Sequence, residues 1–193
     1  MGRGRVKVSN LFIISGPSGV GKTSVVNRLL DKYSPSLVHP LTYTTREPRP
    51  GEANFKDMVF MGRDEWINEY LRGEFLATNE IYREFYGTKK KDVFDSLKGG
   101  KKVILVLDSK GAQDVRLAEI GCVSIFIGPE TFEKLEESLR RRWPNGGHLY
   151  RERLVGAIEE LGHQHEYDYK IKSDNLDEIE EELIKYMDLD KHV

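Results

Sequence analysis

Gly16-Pro17-Ser18-Gly19-Val20-Gly21-Lys22-Thr23 fills every fixed position of the phosphate-binding pattern G-x-x-x-x-G-K-[ST]. Glycines let the backbone curl so that successive N–H groups point at one phosphate. Lys22 is then placed to reach β and γ oxygens, and the Thr23 hydroxyl to hold Mg²⁺. A helix starting here adds its positive N-terminal end. The implied ligand is a nucleoside triphosphate with magnesium, bound by Gly16, Ser18, Gly19, Gly21, Lys22 and Thr23.

The flanks agree with this reading. Asn10-Leu11-Phe12-Ile13-Ile14-Ser15 is a short apolar run that reads as a buried strand. Ser24 to Tyr33 has Val25, Val26, Leu29 and Leu30 at helical spacing. A chance glycine-rich turn would meet the four fixed positions in about one such chain in a hundred, and the required order of strand, loop and helix makes that rarer still.

Further along, Lys101 to Asp108 reads as a buried strand ending in an acid, Gly111 to Glu119 as a helix, and Cys122 to Ile127 as another strand. Thr131 to Arg142 places Phe132, Leu135 and Leu139 on one helical face, and Trp143-Pro144-Asn145-Gly146-Gly147 breaks it. A helix over Arg151 to His165, an edge strand at Tyr169 to Lys172 and an amphipathic helix over Leu176 to Met187, with Ile179, Leu183 and Ile184 on its apolar face, complete the chain. Pro40 to Lys102, punctuated by Pro48, Pro50, Gly51, Gly73, Gly87, Gly99 and Gly100, reads as an inserted region of turns and short segments. The pattern is α/β, a doubly wound parallel sheet with the glycine loop and Asp108 at strand ends. Asp108 has two readings, an acidic element near magnesium or the cap of the next helix.

Composition bounds the function. The 193 residues suit one domain of ordinary size. Charged residues make up 32% but nearly cancel to −2, which gives no basic field for duplex nucleic acid. Cys122 is the single cysteine, inside an apolar run, so a packed thiol is expected and a disulfide within the chain is excluded. No apolar run approaches membrane-spanning length, and the start from Met1 to Lys7 lacks a signal peptide's apolar segment. These features lead to the expectation of a soluble cytoplasmic protein.

Thr42-Tyr43-Thr44-Thr45-Arg46-Glu47-Pro48-Arg49-Pro50-Gly51-Glu52 places two guanidinium groups three residues apart, stiffened by proline, so that both can converge on one phosphate dianion. With the phosphate loop ahead of it, this segment resembles the acceptor-phosphate motif T-T-R-x-P-R-x-G-E of the guanylate kinase family. The resemblance continues through Glu74-Phe75-Leu76, Phe85-Tyr86-Gly87-Thr88, Asp108 to Gln113, Tyr167-Asp168-Tyr169 and Ser173 to Asp177, covering about residues 8 to 188. It implies a P-loop kinase with a core over 8–40, 101–136 and 153–193, an acceptor-binding region over 41–100 and a lid over 137–152. It further implies ATP as co-substrate, Mg²⁺ at Thr23 and, directly or indirectly, Asp108, and transfer to a nucleoside monophosphate, GMP or dGMP. Arg46, Arg49 and Tyr86 would bind the acceptor phosphate, Thr42, Thr88 and Asp108 would lie on the acceptor side, and Arg142 and Arg153 would join Lys22 in catalysis. One or two of Arg140, Arg141 and Arg142 are expected to act; the others would form a solvated basic face.

The sequence departs from the family pattern on the acceptor side. A base-reading acid is replaced by Ala77, another acid by Val106, a phosphate-binding tyrosine by Met58 after Lys56-Asp57, and a lid arginine by Ser138. Loss of a charge-assisted hydrogen bond to the base costs about 1.5–3 kcal/mol. Guanine recognition is therefore either rebuilt, with Thr42, Thr78, Asn79 or Glu80 as replacements, or directed to another phosphorylated small molecule. A phosphopeptide-binding module is the alternative from outside enzymology, and the intact Lys22 and Thr23 speak against it.

Overall fold

The structure, a computed structural model, describes residues 9–55, 58–81, 83–144 and 146–190. Its elements in chain order are β1 (Leu11–Ser15), α1 (Lys22–Tyr33), β2 (Leu37–Val38), β3 (Tyr43–Thr44), β4 (Val59–Phe60), α2 (Arg63–Leu71), β5 (Phe75–Ile81), β6 (Glu84–Lys89), α3 (Lys90–Lys98), β7 (Lys102–Val106), α4 (Ser109–Leu117), β8 (Val123–Gly128), α5 (Phe132–Arg142), α6 (Gly147–Gly162), β9 (Tyr169–Lys172) and α7 (Leu176–Met187). A 3₁₀ turn over Gln164–Glu166 follows α6.

Five strands pair in parallel in the order β2-β7-β1-β8-β9. The central β1 is buried along its whole length because successive side chains feed opposite cores. Phe12 and Ile14 join Val25, Val26 and Leu29 of α1, Leu135 and Leu139 of α5, and Ile179, Leu183 and Met187 of α7. Leu11 and Ile13 meet Val93 of α3 and Ala112 and Val115 of α4 on the other face. Each of the larger side chains contributes about 1.5–3 kcal/mol by leaving water. This is a doubly wound sheet with helices on both faces.

A second sheet runs β4-β3-β6-β5, with β5 and β6 an antiparallel pair. Helix α2 covers one face, where Trp66 stacks on Phe75 at 4.8 Å and on Phe85 at 4.7 Å. Helix α4 links the sheets: Ala112 and Val115 pack in the parallel core beside Leu76 and Ala77 of β5. The Thr78 N–H donates to Asp114 Oδ2 of α4 at 3.0 Å.

Several expectations are corrected. The strand drawn to Asp108 ends at Val106, because Asp108 turns into the cap of α4. Phe132 is 41% exposed, since the first residue of α5 projects before the helix meets the sheet. The helix expected from Arg151 to His165 runs from Gly147 to Gly162. It starts without a side-chain cap, so it leaves no entry signal. The stretch from Pro40 to Lys102 is more regular than its turns suggest, holding α2, α3 and a complete sheet. Lys56, Asp57 and Asn145 lie outside the described residues. Among the described residues, no helix is long and apolar enough to cross a membrane.

Candidate active site

The glycine loop joins β1 to α1 in a shape that side chains would obstruct. Gly16 has φ +141°, and a Cβ there would lie 2.0 Å from the Ile127 carbonyl oxygen of β8. Gly21, at φ +92°, caps α1, and a Cβ there would meet Leu176 Cδ2 at 2.6 Å. No side chain caps α1 and no acid stands in its first turn, an arrangement that leaves the positive helix end to an anion. Lys22 Nζ donates to the carbonyls of Gly16 at 2.5 Å and Pro17 at 2.7 Å. Burial lowers its pKa to about 8; Glu160 and Asp108 act upward on it and Arg142 downward. Thr23 is exposed as the second residue of α1. The Ser138 hydroxyl donates to the Gly19 carbonyl at 2.9 Å, which ties α5 to the loop.

Beside Gly16, Ser18 and Lys22 opens a cavity of about 1290 Å³. Ala77 pairs with Thr88 and Asn79 with Tyr86, so these four side chains share one face of the second sheet. All four line the cavity, as do Thr42 and Met58. Asp108 and Ser109 form a further wall, and His148, Arg151, Arg153 and Glu160 of α6 another. Asp108 is the N-cap of α4, its Oδ1 accepting from the Gly111 N–H at 2.8 Å, while its Oδ2 accepts from the Asn79 amide. The structure thus makes it a cap and also turns it to the cavity. Glu160, which the sequence reading missed, accepts from both N–H and hydroxyl of Ser109 at 2.9 Å. Burial raises its pKa, and its second oxygen is buried without a hydrogen-bond partner. The available signal was helical phase: Glu160 follows Arg153 by seven residues, about two turns, on the same face of α6.

The acceptor arginines are arranged differently from the expected converging pair. Arg46 makes a two-pronged ion pair with Glu52 at 2.6 and 2.8 Å, and also reaches the Glu47 carbonyl at 3.0 Å and Met58 Sδ at 3.3 Å. Hydrogen bonds from Arg46 and from the Arg49 backbone N–H, the latter at 2.9 Å, hold Glu52 down to about 2. Arg49 is exposed, and neither arginine lines the cavity, although Tyr86 does. On α5, Arg140 pairs with Glu136 at 2.8 Å and lies over the Tyr150 ring, so it is held on the outer face of its own helix. Arg142 and Arg153 both lie over the Trp143 ring, at 5.2 and 5.5 Å from its centroid.

A parallel sheet that delivers a glycine loop to a helix N-terminus, facing a second sheet across one cleft, defines the P-loop kinase fold. A family model described as Guanylate kinase matches residues 8–189, and the chain belongs to the guanylate kinase family. The guanylate kinase of Nitrosospira multiformis is 40% identical over 173 residues, covering 90% of this chain and 82% of that one. That of Coxiella burnetii is 39% identical over 176 residues, 91% and 85% of the two chains. The crystal structure of guanylate kinase from Anaplasma phagocytophilum superposes with a TM-score of 0.74 at 30% identity, covering 97% of this chain and 88% of that one.

Proposed function

We propose that this chain transfers the γ-phosphoryl group of ATP to GMP, giving ADP and GDP, as a cytoplasmic enzyme of small-molecule nucleotides that acts on neither nucleic acid nor membrane. The observation that carries the reading is the single cavity running from Gly16, Ser18 and Lys22 to Thr42, Tyr86, Thr88 and Asp108. Its volume of about 1290 Å³ exceeds the roughly 300–1,000 Å³ of a pocket for one drug-sized ligand. Two nucleotides meeting at their phosphates need that room. The names of the relatives support GMP as acceptor.

In this reading the backbone of Gly16 to Thr23 and the Lys22 ammonium hold the donor phosphates. Arg46, Arg49 and Tyr86 take the acceptor phosphate, Arg46 giving up part of its contact with Glu52 or Met58 as it does so. Thr42, Thr88 and Asp108 face the acceptor base, with Asn79 beside Asp108. Arg142 and Arg153 supply positive charge to the transferred group. Closure of the 41–100 region and the 137–152 lid on the core excludes water, so an acceptor-phosphate oxygen rather than hydroxide bonds the γ-phosphorus as the bridge to ADP breaks. Among the described residues no cluster of three His, Cys, Asp or Glu is placed to hold a metal. Thr23 and, directly or through water, Asp108 would hold a Mg²⁺ ion carried mainly on phosphate oxygens. When bound, Mg²⁺ would supply charge neutralisation at the transferring phosphate.

ADP formation from ATP·Mg²⁺ against GMP, dGMP, AMP, CMP, UMP, dTMP and ribose phosphates tests the reading, with Lys22→Ala as the blank. Selective use of GMP or dGMP is expected. Ala77, 2% exposed and apolar where the family pattern has an acid, favours a second reading in which the acceptor is another phosphorylated small molecule. Preference for a different acceptor would establish it. No turnover with any acceptor would overturn the kinase reading altogether.

A further inference from the structure

Two cations at the cleft share one aromatic ring. Arg142 ends α5 and Arg153 lies two turns into α6, yet both guanidinium carbons stand within the roughly 6 Å reach of a cation–π contact with Trp143. Brought together alone, the two like charges repel. The electron-rich ring faces offset that repulsion, and the ring itself is well anchored. Trp143 is the C-cap of α5, its backbone N–H donating to the Leu139 carbonyl at 3.0 Å, and its ring packs against the core cluster that includes Leu139. Arg153 lines the cavity, and Arg142 is near enough to Lys22 to lower its pKa.

We propose that Trp143 is a positioning residue for phosphoryl transfer: its indole gathers Arg142 and Arg153, from two different helices, into one unit that is presented to the phosphates together. The proposal rests on the kinase reading above. Trp143 touches neither nucleotide; it acts through the arginines, so its loss lowers turnover more than it weakens binding. The ring also prepays the cost of assembling two cations before substrate arrives.

The test compares Trp143→Leu, which keeps an apolar side chain without a π face, with Trp143→Phe, which restores a smaller one. With ATP·Mg²⁺ and GMP, the Leu variant is expected to lose on the order of tenfold in kcat while both KM values stay within about twofold, and Phe to recover most of the loss. Thermal melts establish that each variant is folded. A second reading uses Trp66→Phe, which leaves Trp143 as the sole tryptophan of the two. Its emission should change when adenylyl imidodiphosphate and GMP bind together, as phosphate charge reaches the two guanidinium groups held on the ring. A folded Leu variant with wild-type kcat overturns the proposal, as does equal loss in Leu and Phe, or emission unmoved by saturating ligands. Wild-type enzyme runs in parallel: failure of wild type to turn over any acceptor refutes the kinase reading and this role with it, whereas an active wild type beside an unaffected Leu variant refutes the role alone.

Discussion

Lys22 is half-buried, its ammonium held by its own loop carbonyls and within electrostatic reach of Glu160 and Asp108, and desolvation brings its pKa down to about 8. Below that value the free protein offers an ammonium to phosphate; above it the charge is lost before ATP arrives. Bound phosphate favours the charged form, so the effect falls on capture rather than on the bound complex. We predict that kcat/KM for ATP declines as pH rises through about 8 while kcat holds to higher pH, and a profile flat to pH 9.5 would refute this. Lys22→Ala should remove most turnover with little change in melting temperature. The acceptor segment makes a parallel case. Glu52 fixes the Arg46 fork and the Arg49 backbone together, so Glu52→Gln should raise acceptor KM about tenfold, roughly 1.4 kcal/mol, with ATP KM unmoved. Arg46→Ala should do more, and unchanged acceptor kinetics in either variant would remove its assigned part. Sequence could supply Lys22, Arg46 and Glu52 because each belongs to a short contiguous motif. It gave no sign that Arg46 is held by Glu52, since side-chain pairing across a turn follows from its folded shape.

At the level of elements, α4 has two tasks that one residue serves. Asp108 caps its first turn through the Gly111 N–H and faces the cavity through the oxygen that receives the Asn79 amide. Substitution can separate these tasks, because asparagine caps a helix about as well as aspartate and alanine does not. Asp108→Asn should leave stability within about 0.5 kcal/mol and raise acceptor KM, whereas Asp108→Ala should cost about 1 kcal/mol as well. Denaturant unfolding and acceptor kinetics on both variants decide it; equal stability of Asn and Ala would show that the cap is immaterial. The two readings of Asp108 stayed open in the sequence because a strand-end acid and a helix cap share one signature. The start of α6 was illegible for a related reason: Gly146 and Gly147 both have positive φ, and sequence registers them as a break rather than as an entry. Glu160 was passed over with it, as a polar helix position whose partner, Ser109, lies 51 residues away.

Across the whole molecule, the parallel core was readable because strands buried on both faces appear as continuous apolar runs, as in Leu11–Ser15 and Val123–Gly128. The second sheet was not, because β3 and β4 have two residues each and cannot display a period, and the longer β5 and β6 do not alternate apolar with polar residues. Yet that sheet supplies half of the cleft, and α4, packed against both sheets, is the element that relates one half to the other. Donor and acceptor phosphates must come within about 3–3.5 Å for transfer, and neither Arg46 nor Arg49 lines the cavity as it stands. We predict that the halves approach for transfer, so that whichever nucleotide binds first bears part of that closure. A single ligand at a hundred times its Kd stabilises a fold by about 2.7 kcal/mol. Adenylyl imidodiphosphate and GMP added together should raise unfolding free energy by more than the sum of their separate effects, because the second ligand meets a cleft already drawn in. Denaturant unfolding with neither, each and both ligands measures the difference, and strict additivity would mean that the two walls bind their nucleotides without moving toward one another.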